Sequence, residues 1–263
     1  MPNTKTVLLK IEETVATVTM NRPERLNALD GELWTGLEEA ATAIRSEPTV
    51  RVAILTGEGR AFCAGLDLKA VASPEGLATG LTLGEGYETI HHLKSVFTMY
   101  QVLPVPVIAA INGPCIGGGI EIVLACDIRL ASDNAIFSIP EVTYGIIPDC
   151  GGTQRLPRVV GPGKARELIL TGRRIDAAEA LRIGLVDHVY SPDQLLTETR
   201  KLADEIAALP PAAVQAAKRA LNVAASYSLD IGLDYETVIA LNAMGASETL
   251  RQAAAHFTKK ETG

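Results

Sequence analysis

The residues best able to do chemistry in this 263-residue chain fall between Asn112 and Gln154. Gly117, Gly118 and Gly119 precede Ile120 and Glu121, and Glu141 and Asp149 follow. Three consecutive glycines after an apolar strand let backbone amides approach a ligand with no Cβ in the way. They also open a helix, so those amides lack partners and sit at the positive end of its dipole. Such a place suits an anion, either a bound phosphate or an oxyanion that exists only during reaction. Glu121, three residues past Gly118, comes over the same helical face, so a donor and an acid face one spot. The plainer alternative is that the glycines allow close packing and Glu121 complements a helix start. No Lys-Ser or Lys-Thr follows the run, and residues 161–165 fail the phosphate-loop test as well.

Glu141 follows Pro140, which cannot donate to a sheet, so the chain turns there and leaves the Glu141 carboxylate free to point inward, with a solvated loop acid as the plainer alternative. Asp149 stands before a helical run, where it serves either as an N-cap or as a third acid. A second candidate donor lies in residues 57–69, a Gly-rich loop after a strand, where Ala64-Gly65 could present a free amide opposite Gly118. An ordinary tight turn is the alternative there.

The elements that must hold these groups follow from periodicity. Two short strands are expected over 7–20, with Ala16, Val18 and Met20 alternating against Thr17 and Thr19. Asp30 is expected to cap a helix over 31–46. Strands at 51–56, 105–111 and 127–132 alternate with helices, including one over 87–102 that carries His91 and His92, which face different ways. Beyond Gly161 the chain turns helical, over 163–171, 177–183, 192–209, 211–227 and 229–256, with a last strand at 185–190. A core of 1–195 and a C-terminal helical oligomerisation region of 196–263 are expected.

The formal charge is −7 and the basic residues form no long run. That argues against nucleic acid and an anionic membrane surface as partners. Asn112, Pro114 and Glu121 interrupt the apolar stretch around 105–126, so it reads as buried core and no membrane span. Cys63, Cys115, Cys126 and Cys150 lack metal-site spacing, and nothing near residue 1 has the pattern of a secretory signal. Reduced thiols, a cytoplasmic location and no metal or redox cofactor are expected.

The runs Asn21 to Leu29 and Ala61 to Leu68, Asn112-Gly113 with Gly117 to Glu121, Cys126-Asp127-Ile128 and Gly151 to Leu156 together resemble the crotonase (enoyl-CoA hydratase/isomerase) family. The resemblance runs along nearly the whole chain, in order. It implies an α/β crotonase-like fold of repeated ββα units, with a C-terminal helical trimerisation region and a homo-trimer or dimer of trimers. It also implies a coenzyme A thioester as substrate, with no separate cofactor.

By the same resemblance the amides of Ala64 and Gly118 form the oxyanion hole, and Ala64, Gly65, Leu66 and Asp67 line the coenzyme A and acyl path. Arg25, Phe257 and Lys260 are further substrate-binding candidates, the last two in a segment that covers the nucleotide end. In the hydratase branch two glutamates act on one water, with Glu121 activating it and Glu141 protonating the α-carbon. Asp149 stands where typical hydratases carry a small residue and dienoyl-CoA isomerase-like members carry an acid. A double-bond isomerase using Glu141 and Asp149 is therefore the second reading. A non-catalytic binding protein on the same fold is a remote third. Acyl length and branching depend on how residues 70–86 and the helix carrying His91 shape the pocket.

Overall fold

In a computed structural model of the chain, residues 5–72, 82–246, 248 and 250–252 are described. A six-stranded sheet carries β1 (Val7–Glu12), β2 (Val15–Met20), β3 (Val52–Gly57), β4 (Val107–Ile111), β6 (Ile128–Ser132) and β9 (His188–Tyr190), side by side in that order. Within this sheet only β1 and β2 pair antiparallel. A smaller sheet joins β5 (Cys115–Ile116), β7 (Ile136–Ser138) and β8 (Ile175–Asp176). The helices are α1 (Gly31–Ser46), α2 (Leu68–Val71), α3 (Leu83–Val102), α4 (Gly118–Val123), α5 (Gly152–Val160), α6 (Pro162–Thr171), α7 (Ala177–Arg182), α8 (Leu195–Ala207), α9 (Pro211–Ala224) and α10 (Leu229–Ala246). This is the expected α/β alternation of strands and crossover helices.

Sequence explains each element that matters for the site. Every residue of β3 and β4 is buried, as parallel strands covered on both faces require. In α1, Leu33, Leu37, Ala41 and Ile44 fall on one buried stripe, and Asp30 accepts the Leu33 N–H at 2.9 Å as its cap. Burying each of its larger aliphatic side chains contributes about 2 kcal/mol. Against it lies α3, where Trp34 stacks on Phe97 with centroids 4.9 Å apart and the Tyr100 hydroxyl donates to the Leu37 carbonyl. Helix α3 begins at Leu83, earlier than periodicity suggests, because Thr82 and Glu85 form a reciprocal capping box.

Strands β3 and β4 are parallel neighbours, with Thr56 opposite Ala110. The loops that follow them therefore leave from the same end of the sheet, which is where open α/β sheets gather ligands.

The expected boundary at residue 195 is corrected by the packing. Leu195, Ala203 and Ala207 of α8 are buried with Val15, Val52, Ile54 and Ile108 of the large sheet. Helix α8 is thus a layer of the core, and the C-terminal region starts after it. Even α9 is fastened inward. The buried Lys218 ammonium donates to Asp127 Oδ2 at 2.7 Å, to the Val105 carbonyl at 2.9 Å and to the Tyr100 carbonyl at 3.4 Å. Asp127 also accepts the Val107 N–H at 2.7 Å, so the pair ties α9 to the start of β4.

Breaking a buried pair leaves the partner charge short of compensation. Lys218→Met should lower the free energy of unfolding by roughly 2–3 kcal/mol, toward the low end because Asp127 keeps its Val107 bond. Denaturant titration checks this, and an unchanged midpoint would show that the pair holds nothing.

Candidate active site

The loop after β3 is held by two asparagines. Asn27 is fully buried in the left-handed region at φ 55°, a conformation asparagine tolerates better than most residues. Its amide donates to the Ala61 carbonyl at 2.8 Å and the Glu58 carbonyl at 3.0 Å, and its oxygen accepts the Arg22 N–H. Asn112 accepts the Gly57 N–H at 3.2 Å and donates to the Gly59 carbonyl at 2.9 Å. The loop then runs beside β5, where the Phe62 and Cys63 amides donate to the Pro114 carbonyl and the Ile116 N–H donates to the Cys63 carbonyl.

This arrangement corrects one expectation. The Ala64 N–H donates to the Leu26 carbonyl at 2.9 Å, so it is not available to a ligand. Gly65 and Asp67 are likewise bridged to Leu29, through the Gly65 carbonyl at 2.7 Å and the Asp67 N–H at 2.9 Å. Between them, the Leu66 N–H meets no acceptor among the described residues. Leu66 is the residue sequence reasoning placed only on the path, because the bonding partners of this loop lie far back in the chain.

The glycine run behaves as expected. Gly117 donates to the Ser138 carbonyl at 2.8 Å, while the N–H of Gly118, first residue of α4, meets no acceptor among the described residues. Gly117 sits at φ 53°, and a Cβ there would come within 2.6 Å of Glu141 Oε1, so only glycine fits. A cleft of about 80 Å³ opens here, bounded by Leu66, Leu68, Gly117, Glu141, Tyr144 and Ile146. Ala64 and Gly65 line it too.

Three acids converge from separate elements. Glu121 is only 3% exposed, among apolar neighbours on α4. Its Oε1 accepts the Gly152 N–H at 2.8 Å, so it caps α5 from another helix. Burial is the main cause that raises its pKa to about 8, against the Gly152 bond, with Glu141 and Asp149 adding to the rise. Glu141 opens a short 3-10 helix, Glu141–Tyr144, directly after Pro140. Burial raises its pKa as well, with Asp149 contributing. Its Oε2 is buried with no hydrogen-bond partner among the described residues.

Asp149 is exposed, and its carboxylate, the Glu121 carboxylate and the Cys150 thiol lie within 4.8 Å of one another. The N-cap of α5 is Gly151 and not Asp149, with no side-chain cap bond. The capping explanation for Asp149 therefore fails, because Glu121 has taken that task. Gly151 stands at φ 116° with the Arg155 guanidinium filling the space a side chain would need. Arg155 donates to the Cys150 carbonyl at 3.0 Å and reaches Thr98 and Gln101 on α3, which fixes the turn that carries Asp149 and the Gly152 N–H.

Two expected binding residues do not line the cleft. Asp67 is committed to Arg22 at 3.1 Å and caps α2 by accepting the Lys69 N–H. Arg25 is exposed in the 3-10 turn Pro23–Arg25. Phe257 and Lys260 lie outside the described residues, as do residues 73–81 of the segment expected to shape the acyl pocket.

A profile of the enoyl-CoA hydratase/isomerase family matches residues 10–262. The short-chain-enoyl-CoA hydratase of Clostridium acetobutylicum is 42% identical over 235 residues, covering 88% of this chain and 86% of that protein. The crotonyl-CoA hydratase of Syntrophomonas wolfei is 39% identical over 231 residues, covering 88% and 86%. The crystal structure of the enoyl-CoA hydratase from Bacillus anthracis superposes with a TM-score of 0.87 at 38% identity, covering 97% of this chain and 96% of that one.

A carboxyl group whose pKa is higher folded than unfolded binds more protons in the folded state between the two values. Its stability contribution is intact below the unfolded value near 4.5 and is lost as pH rises toward about 8. Glu121→Gln keeps an oxygen for the Gly152 N–H and removes the titration. The variant's melting temperature should therefore gain on the wild type steadily from pH 5 to pH 8, as read by thermal scans. A difference that stays flat with pH would show that Glu121 titrates normally.

Proposed function

The chain belongs to the enoyl-CoA hydratase/isomerase family, and from that premise we propose that it adds water across the 2,3 double bond of a 2-enoyl-CoA thioester to give the 3-hydroxyacyl-CoA. The observation that carries this reading is the buried Oε2 of Glu141, in a cleft bounded also by Leu66, where neither that oxygen nor the Leu66 N–H has a partner among the described residues. Relatives named for short-chain enoyl-CoA and crotonyl-CoA hydration support it.

The thioester oxygen takes the free N–H groups of Leu66 and Gly118. As water attacks C3, negative charge moves onto that oxygen, where each fixed amide is worth about 3 kcal/mol or more. Glu121 takes a proton from the attacking water, and Glu141 gives a proton to C2. The water oxygen ends on C3, its proton on Glu121, and the proton lost by Glu141 on C2, so the balance closes. A finished hydration leaves the proton on Glu121, and burial raises the pKa of both carboxyls, which suits a pair that passes protons. Return of that proton to Glu141 through a water between them resets the pair. Coenzyme A belongs to the substrate, and no further cofactor enters any step.

Short acyl thioesters of fatty-acid or related acyl-CoA degradation are the proposed substrates. Assembly as a trimer or a dimer of trimers is proposed through α10, which leaves Leu229, Leu233, Val238, Leu241 and Met244 exposed. No helix among the described residues is long and apolar enough to cross a membrane.

A second reading is favoured by Asp149, a carboxylate beside Glu121 with no capping duty. There it would pass a proton along the acyl chain and shift a double bond.

Glu141→Gln should cut crotonyl-CoA hydration by two or more orders of magnitude while thioester binding persists, measured by absorbance decay and by calorimetric titration. Unchanged turnover would remove Glu141 from the chemistry. For the second reading, wild type should migrate the double bond of 3-enoyl or dienoyl thioesters and Asp149→Ala should not. A wild type that hydrates but never migrates a bond ends it.

A further inference from the structure

A second cavity, of about 690 Å³, opens between α3, α5 and the end of α9 and shares no lining residue with the cleft. Its wall includes Leu124, three residues past Glu121 at the end of α4, and Gly151, next to the residue that holds the Glu121 carboxyl. Its size falls in the range of small-molecule pockets. We propose that the far end of the acyl chain enters this cavity, and that its cations select 2-enoyl thioesters bearing a second, distal carboxylate. This rests on the hydratase reading and names its substrate class.

Charge is the reason. Arg45, Lys94, Arg155 and Arg158 line the cavity, and no aspartate or glutamate does. The chain as a whole is strongly acidic, at −7, so four cations facing one space are not a reflection of composition. Arg155 bonds to Thr98, Gln101 and the Cys150 carbonyl, and Arg158 to the Ala225 and Gln154 carbonyls. Those acceptors are all neutral, and no carboxylate bonds either guanidinium among the described residues, although the Glu121 carboxyl acts on Arg155 through its charge. Lys94 and Arg45 have no side-chain hydrogen bond or ion pair among the described residues.

Met99, Val102 and Leu124 supply apolar wall for methylene groups. A wholly aliphatic tail would cover these cations and give them nothing in return, whereas a carboxylate compensates them. The site is also close to the chemistry. Lys94 acts electrostatically on the Cys150 thiol, which lies within 4.8 Å of the Glu121 carboxylate. A thioester held at Leu66 and Gly118 sends its nucleotide toward the cleft mouth and its acyl end past Glu121 to this wall.

The test is kcat/KM for 2-enoyl-CoA thioesters of five to seven carbons, each with a distal carboxylate and as its uncharged counterpart of equal length. Wild type should favour the carboxylated member about tenfold or more. Lys94→Met should lower that ratio at least fivefold, and Lys94→Arg should retain it. Because the readout is a ratio, a general loss of folding or activity cancels. A wild-type ratio near one, or a ratio that Lys94→Met leaves alone, overturns the proposal. So does an equal rise in KM for both members, which would mean that the cavity serves the phosphates of coenzyme A. Failure to hydrate any thioester would overturn the hydratase reading and this inference with it, whereas hydration of uncharged thioesters alone overturns only this inference.

Discussion

A carboxyl group buried with no ion-pair partner among the described residues is the constraint around which this molecule is arranged. Glu121 sits in apolar surroundings, and its carboxyl accepts the Gly152 N–H at 2.8 Å. That bond joins α4 to α5 and sets the direction of the acid. It is also too little to offset burial, which raises the pKa of the group to about 8. A buried acid that holds its proton near neutral pH is poor for stability and well matched to proton transfer. The turn around it is built accordingly, with Gly151 in a left-handed conformation and Arg155 stitching the turn to α3.

The rest of the fold delivers two backbone donors to the same place. Parallel pairing of β3 with β4 brings both loops out at one end of the sheet. Asn112 then fixes the first loop against the second, and Asn27 ties the first loop to the segment after β2. Precision here comes from buried polar bonds, while the stability of the layers comes from the aliphatic faces of α1, α3 and α8. The two kinds of interaction are segregated, with the polar clasp confined to the loop ends.

Features governed by neighbours in sequence were legible without coordinates. Gly118 and Glu121 lie one helical turn apart, and Pro140 ends a strand just before Glu141, so helix and turn chemistry alone bring these residues forward. Features governed by distant bonds were not. The Ala64 amide is consumed by Leu26, and Leu66 is left free, only because residues 64–67 pair with residues 26–29. Asp149 looks like a cap by its position, yet α5 is capped by a carboxylate that arrives from residue 121. The helical pattern of α8 reads the same whether its stripe meets solvent or a sheet, and only the strand order shows that it covers β3 and β4. The cationic cavity gathers residues from α1, α3 and α5 and has no local signature at all.

The Lys218 clasp bears on the order in which a newly made chain matures. By fastening α9 to backbone carbonyls beside β4, it lets one polypeptide close its own interior while the apolar side of α10 still faces outward. A single chain therefore closes its interior without help from α10, whose apolar residues remain at the surface.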